Sequence, residues 1–234
     1  MELKFLGKGA AFYPVLGNTS AYFIYDKNLF LIDCGESVFK KVYEKDLFSE
    51  IDNIYVFITH THSDHIGSLS SLILYCSHKI DIKTKIVIPK ENKYLDSIKN
   101  ILDSMGVDKS DYEFVNDVDL DNKFDVFDNI RYVETTHCDD MTSYSIIFEK
   151  DNGVIYYSGD TNELDTVKSI INGDKNIIKI YIETCSERLY SHIYYEDLLE
   201  VIPKNLRDRV YCMHLDTLDL VDKLEENGFR IVEV

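Results

Sequence analysis

Three of the chain's seven histidines fall within six residues, in the stretch Thr59–His65, T-H-T-H-S-D-H. Imidazole nitrogens at this density, with a carboxylate among them, are the donor types of a metal site. In an extended loop, residues i and i+2 project to the same side, so His60 and His62 can grip one ion together. A turn after them lets Asp64 and His65 face a second ion nearby. Two ions about 3.5–4 Å apart can share a hydroxide and stabilise both the attacking and the leaving oxygen of a displacement. One loop supplies too few ligands for two ions. His137 in E-T-T-H-C, Asp160 in Y-S-G-D-T and His214 in C-M-H-L-D are the further candidates, because each follows an apolar run. Gly159 permits a tight exit from its strand, and Asp160 could bridge both ions. A lone histidine is more often a satisfied core or surface residue, and His78 is read that way.

The elements that must position these residues are written in the apolar pattern. The continuous run Ile54–Ile58 reads as a buried strand that delivers Thr59–His65 at its end. A strand at Glu2–Leu6 leads into a glycine-containing loop, Gly7–Asn18. Ala21–Tyr25 and Leu29–Ile32 form a hairpin around the polar turn Asp26–Asn28. Further strands are expected at Lys85–Ile88, Tyr112–Val115, Lys123–Phe127, Ile130–Thr135, Tyr144–Phe148, Val154–Tyr157, Ile177–Ile182, Val210–Cys212 and Ile231–Val234. Helical spacing predicts helices at Ser37–Tyr43, Ile66–Tyr75, Lys93–Met105, Asn162–Ile170, Tyr194–Val201 and Leu218–Glu226. Both halves run from strands to helices, so two sheets packed face to face with helices outside would bury the apolar faces. With 234 residues and no linker or repeat, residues 1–234 read as a single domain.

Composition narrows the chemistry. Lys plus Arg number 25 against 42 Asp plus Glu, a net charge of −17. Such a chain repels phosphate backbones at long range and has no basic tract, which argues against a large nucleic-acid footprint. A small anionic substrate is still compatible, because bound dications dominate the local field. The ligand types favour zinc, while manganese or iron would fit the same donors. Five scattered cysteines with no CxxC pair read as reduced thiols. The N-terminus lacks the apolar stretch of a signal peptide and no run is long enough to span a bilayer, so a cytoplasmic protein without a membrane segment is expected. Asp33, in L-I-D-C-G-E, is a candidate partner for a ligand imidazole. Cys138 adjoins His137 but should point away from it. Phe12 and Tyr13 are expected to pack within their loop, the alternative being to stack on a base.

The His60/His62/Asp64/His65 motif, the isolated His137, S-G-D-T with Asp160 and the late His214 resemble, in order, the ligand set of the metallo-β-lactamase fold superfamily. The resemblance covers essentially the whole chain. It implies an αββα four-layer sandwich with the site along one edge of the two sheets. It also implies His60, His62 and His137 on one metal, Asp64, His65 and His214 on the other, and Asp160 between them. The openings F-L-G-K-G-A-A-F, G-N-T-S-A-Y and L-I-D-C-G-E are similar to the RNase Z-like branch, which also carries an extra histidine upstream of the last ligand. His192 in Y-S-H-I-Y stands at that place. This implies phosphodiester chemistry, with His192 as general acid or phosphate ligand and Glu183 as its orienting carboxylate. Asp64 or Asp160 would hold the nucleophile in line. RNase Z enzymes grip tRNA with a long arm, for which this chain has no room. The F-L-G-K-G opening and the G-N-T-S-A-Y and F-I-T-H-T-H-S-D-H-I-G-S-L stretches resemble the armless anti-Pycsar phosphodiesterases, which hydrolyse cyclic nucleotides. That resemblance implies a small nucleotide substrate and a homodimer. An RNA 3′-processing endonuclease, a lactonase or thioesterase, and a non-catalytic nucleotide sponge are the rival readings.

Overall fold

The computed structural model describes residues 1–91 and 93–234. The first sheet takes β1 (Lys4–Gly7), β2 (Ser20–Tyr25), β3 (Asn28–Ile32), β4 (Asn53–Phe57), β5 (Thr84–Ile88) and β6 (Tyr112–Asn116) in spatial order. The second takes β7 (Asn129–Cys138), β8 (Met141–Lys150), β9 (Gly153–Tyr157), β10 (Asn176–Glu183), β11 (Val210–Met213) and β12 (Arg230–Ile231). In each half, two antiparallel pairings come first and three parallel ones follow.

Alternation along the strands builds three apolar layers. Leu29 and Leu31 of β3 and Ile54 and Val56 of β4 face α1 (Val38–Glu44), α3 (Leu69–Ile80) and α4 (Leu95–Ser104). Their neighbours Phe30, Ile32, Tyr55 and Phe57 face the other sheet, where Phe148, Ile155, Tyr157 and Tyr181 meet them. Tyr156, Ile180, Ile182 and Cys212 face outward again, under α5 (Asp165–Ile171), α6 (Tyr195–Val201) and α7 (Asp219–Glu226). A strand read with period two therefore serves a helix on one side and a sheet on the other, which is the four-layer αββα arrangement. Phe30 is the centre of the middle layer, stacked at 4.5 Å on Phe23 and at 5.0 Å on Tyr55. Its truncation to Ala would cost about 3–5 kcal/mol.

Two expectations fail. Lys123–Phe127 forms turns and not a strand. Phe124 and Val126 carry the period-two spacing of a strand, yet Phe124 and Phe127, three apart, both pack edge-on against Phe30, at 5.0 and 5.9 Å. That is core filling from a turn, and it mimics a strand in the sequence. His137 does not follow its strand but lies within β7, where the register against β8 shifts between Thr135 and Cys138. Such a bulge re-aims a side chain at a sheet edge. None of the described helices is long and apolar enough to cross a membrane.

Candidate metal centre

The chemistry-bearing residues gather at the carboxyl ends of the parallel strands, where open α/β sheets usually place their sites. After β4 the chain runs through an irregular loop, Ile58–His62, and then turns into the short helix α2 (Ser63–Ile66). The loop sends His60 and His62 to one donor group; the helical turn sends Asp64 and His65 to another. Asp160 follows β9 through Gly159, which stands at φ 58°. A side chain there would be strained by the left-handed backbone and would meet the Tyr144 carbonyl at 2.6 Å. His214 follows β11 directly, and Glu183 is the last residue of β10.

Two donor sets result. In the first, His62 Nδ1 lies 3.0 Å from His60 Nε2 and 3.2 Å from His137 Nε2. The second is made of Asp64, His65, Asp160 and His214. His65 Nε2 lies 3.3 Å from both Asp64 Oδ2 and Asp160 Oδ1. His214 Nε2 lies 3.3 Å from Asp64 Oδ2 and 3.2 Å from Asp160 Oδ2. Asp160 Oδ2 is also 3.9 Å from His60 Nε2 and from His137 Nε2, so this one carboxylate faces both sets.

The surroundings fix the ring nitrogens. His65 Nδ1 pairs with Asp33 Oδ2 at 2.8 Å, and Asp33 also accepts the Thr59 amide and hydroxyl, each at 2.8 Å. His137 Nδ1 donates to the Ser191 carbonyl at 2.7 Å. Glu183 Oε2 stands 2.8 Å from His192 Nδ1 and 3.9 Å from His214 Nδ1, while its other oxygen accepts the Thr161 amide. Burial holds His60 well below the usual imidazole range, and it lowers His62 and His137 as well. Burial pulls His65 and His214 in the same direction, but Asp160 and the acidic groups around it outweigh it and raise both. For His192, burial is likewise overcome by Glu183, and the ring is raised to about 9.

This donor chemistry fits divalent metal. With Nδ1–H given to Asp33, a neutral His65 aims the lone pair of Nε2 at two carboxylate oxygens. That nitrogen is buried and has no hydrogen-bond partner among the described residues. Lone pair against two anions is repulsive unless a proton or a metal cation stands between them, and a divalent cation would satisfy the nitrogen and both carboxylates at once. In the first set, the nitrogen spacings approach the edge of a tetrahedron drawn with Zn–N bonds of about 2.0–2.1 Å, roughly 3.3 Å.

The structure therefore brings together all seven residues expected as ligands, and it pairs His192 with Glu183 beside them. Asp33 takes the supporting place read from the sequence. His78 is apart, 3.9 Å from Asp111 on an exposed side chain, and Cys138 belongs to neither donor set. Phe12 departs from expectation: it is fully exposed instead of packed in its loop. Two contributors went unread. Thr59, at 3.2 Å from His60 Nδ1, is signalled only by its place between strand and motif. The Ser191 carbonyl is backbone and leaves no trace in residue types.

A family model described as anti-Pycsar protein Apyc1 matches residues 1–233. Anti-Pycsar protein Apyc1 of Paenibacillus harenae is 27% identical over 228 residues, covering 94% of this chain and 92% of that protein. The protein of the same name from Bacillus phage BSP38 is 29% identical, covering 91% of this chain and 88% of its own length. Among solved structures, the metallo-β-lactamase fold protein YhfI from Bacillus subtilis superposes with a TM-score of 0.73 at 15% identity, over 98% of this chain and 94% of that one. The short form of human tRNase Z superposes with a TM-score of 0.68 at 18% identity, over 94% of each chain, and these two likenesses show the fold. The chain belongs to the anti-Pycsar protein Apyc1 family and is a metal-dependent hydrolase on the metallo-β-lactamase fold.

Proposed function

We propose that residues 1–234 act as one two-metal phosphodiesterase domain that opens cyclic mononucleotides to mononucleotides. The observation that carries this reading is the pair of donor sets joined at Asp160, with the His192–Glu183 pair against both. His60, His62 and His137 would hold one ion, and Asp64, His65 and His214 the other. Zinc suits this mixture of imidazole and carboxylate best, and manganese is the alternative. Two such cations supply Lewis acidity, making a water nucleophilic at neutral pH and neutralising phosphoryl oxygen charge.

The chain's own groups do the rest. The His192 ring stands 5.0 Å from that of His137 and 5.2 Å from that of His214, at the gap between the sets. Its Nδ1–H is given to Glu183, so Nε2 can deliver a proton to the departing ribose oxygen. Asp64 is held in its charged form, despite burial, by His65 and His214. It can orient the attacking water by accepting a hydrogen bond. A cleft of about 130 Å³ leads from His192 and His214 to Phe12, Tyr13 and Leu189, where a base can stack. Family membership and the net charge of −17 favour a small cyclic nucleotide over RNA. Phe12, Val15, Leu189 and Tyr190 leave apolar side chains exposed. In the proposed homodimer a second copy would cover them, which sedimentation would reveal as a doubled mass.

The test is a substrate panel. Metal-replete protein is offered cyclic mononucleotides, a short RNA, a lactone and a thioester. Turnover of the cyclic mononucleotides to mononucleotides is expected. Preference for RNA or for either ester, or a preparation that turns over nothing at full metal loading, would overturn the reading.

A further inference from the structure

The G-K-G and G-N-T-S segments are used by nothing in the chemistry above, yet both close on one turn, His214–Leu215. His214 stands at φ 56°, in the left-handed region that a non-glycine residue adopts at a cost. Its amide donates to Thr19 Oγ1 at 3.1 Å, and Thr19 is 2% exposed. Next along, the Leu215 amide donates to the Lys8 carbonyl at 2.8 Å, and the Ala10 amide donates to the Leu215 carbonyl at 3.0 Å. Thr19 in turn donates its hydroxyl to the Gly9 carbonyl at 3.1 Å, tying the strap to itself. The approach is close enough that a Cβ on Gly9 would meet the carbonyls of Tyr13 and Gly17 at 2.7 and 2.9 Å. Three hydrogen bonds between segments far apart in sequence thus hold one strained backbone turn, and a fourth braces the strap that makes them. The His214 side chain on that turn carries Nε2 to Asp64 and Asp160.

We propose that Thr19, with the Lys8–Ala10 strap it anchors, is the positioning residue for the His214 imidazole and so sets the affinity of the carboxylate-rich half of the centre. The hydroxyl is the only side-chain group of the strap that accepts the His214 amide, and the amide direction fixes where Cβ of His214 points. Loss of the hydroxyl leaves that buried amide unpaired and lets the turn relax toward ordinary backbone. This inference rests on the two-ion reading proposed above.

The experiment uses the full chain loaded with zinc, with the affinity of each ion read by chelator competition. T19V keeps the volume and removes the hydroxyl; T19S keeps the hydroxyl. T19V should weaken one of two ions by roughly 10–100-fold, the effect typical of losing a group that orients a ligand, while T19S stays near the parent. In the H214A background, T19V should add nothing further, because the two act on one interaction. Equal weakening of both ions, a lower melting temperature of metal-free T19V with affinity unchanged, or simple addition of the two effects overturns the proposal in favour of a structural hydroxyl. If H214A loses one ion and T19V loses none, this inference alone fails. If H214A keeps both ions at full affinity, the two-ion reading fails and takes this inference with it.

Discussion

The His60–His62–His137 set consists of three imidazoles and opens toward solvent at His62, whereas the Asp64–His65–Asp160–His214 set is buried throughout and holds two carboxylates. What stands behind them differs too. A backbone carbonyl, that of Ser191, orients His137; ionisable carboxyl groups, those of Asp33 and Glu183, lie behind His65 and His214. The first set is kept neutral by burial and offers lone pairs ready for a metal. The second keeps charge in a buried place and must either hold protons or exchange them for a cation. One centre therefore contains a neutral half and a half that is electrostatically incomplete without a cation.

The largest way to break this contrast is to remove what the halves share. D160A takes away the carboxylate that faces both sets, so both ions should be weakened together and turnover should fall by more than the roughly 100-fold that loss of an outer partner produces. H62A should weaken one ion and spare the other. Elemental analysis beside kinetics decides it; a D160A protein that still carries two tight ions would mean the halves are independent.

Next in size is H192A, which removes a group of the reaction and none of the ligands assigned to either half. Its kcat on a cyclic mononucleotide should drop by roughly 10²–10⁴, the span of a positioned general acid. On bis(p-nitrophenyl) phosphate, whose leaving group departs without a proton, the drop should be much smaller. Equal losses on both substrates would make His192 a phosphate-binding group instead. Smaller again is D33N, which weakens the support of His65 directly and reaches His60 only through Thr59. It should lower the affinity of the second ion by roughly 10–100-fold and change the first far less. A drop confined to the first ion would invert the comparison.

The contrast also governs what could be read in advance. His60, His62, Asp64 and His65 were legible because one segment carries them, with an apolar strand before it and spacing that separates the two faces. His137, Asp160 and His214 were legible as polar residues near strand ends, though the bulge that turns His137 inward was not, since a register shift leaves no residue signature. Asp33 could be suspected from its place after β3. The Ser191 carbonyl could not, and neither could the roles of Gly9 and Thr19, whose meaning depends on a turn nearly 200 residues away. The period-two pattern gave both sheets, but the turn at Phe124 and Phe127 imitated it, because rings sent into the middle layer look alike from a strand or a turn.

The smallest effect tests the electrostatic difference itself, in protein stripped of metal. His60, His62 and His137 lie below their ordinary value of 6.5 when folded, so the unfolded chain binds more protons and stability is lost as pH falls below 6.5. His65 and His214 are raised, so the folded state binds more protons, and their contribution is complete below 6.5 and lost as pH climbs through their folded values. His192 behaves likewise, its share disappearing by about 9. Denaturant melts of the metal-free protein should give a stability maximum that declines on both sides, the alkaline limb belonging to the second half and the onset of the acid limb, just below 6.5, to the first, with Asp64 and Asp160 adding to the loss only at lower pH. Metal takes the place of the protons on His65 and His214, so loading should flatten the alkaline limb much more than it shifts the midpoint of the maximum. H65Q should flatten that limb in the metal-free protein far more than it changes the acid limb, which it reaches only because the His65 charge helps to lower His60 and Asp64. If H65Q altered both limbs alike, the two halves would share one proton inventory, and the separation between a neutral and a charge-holding half would be wrong.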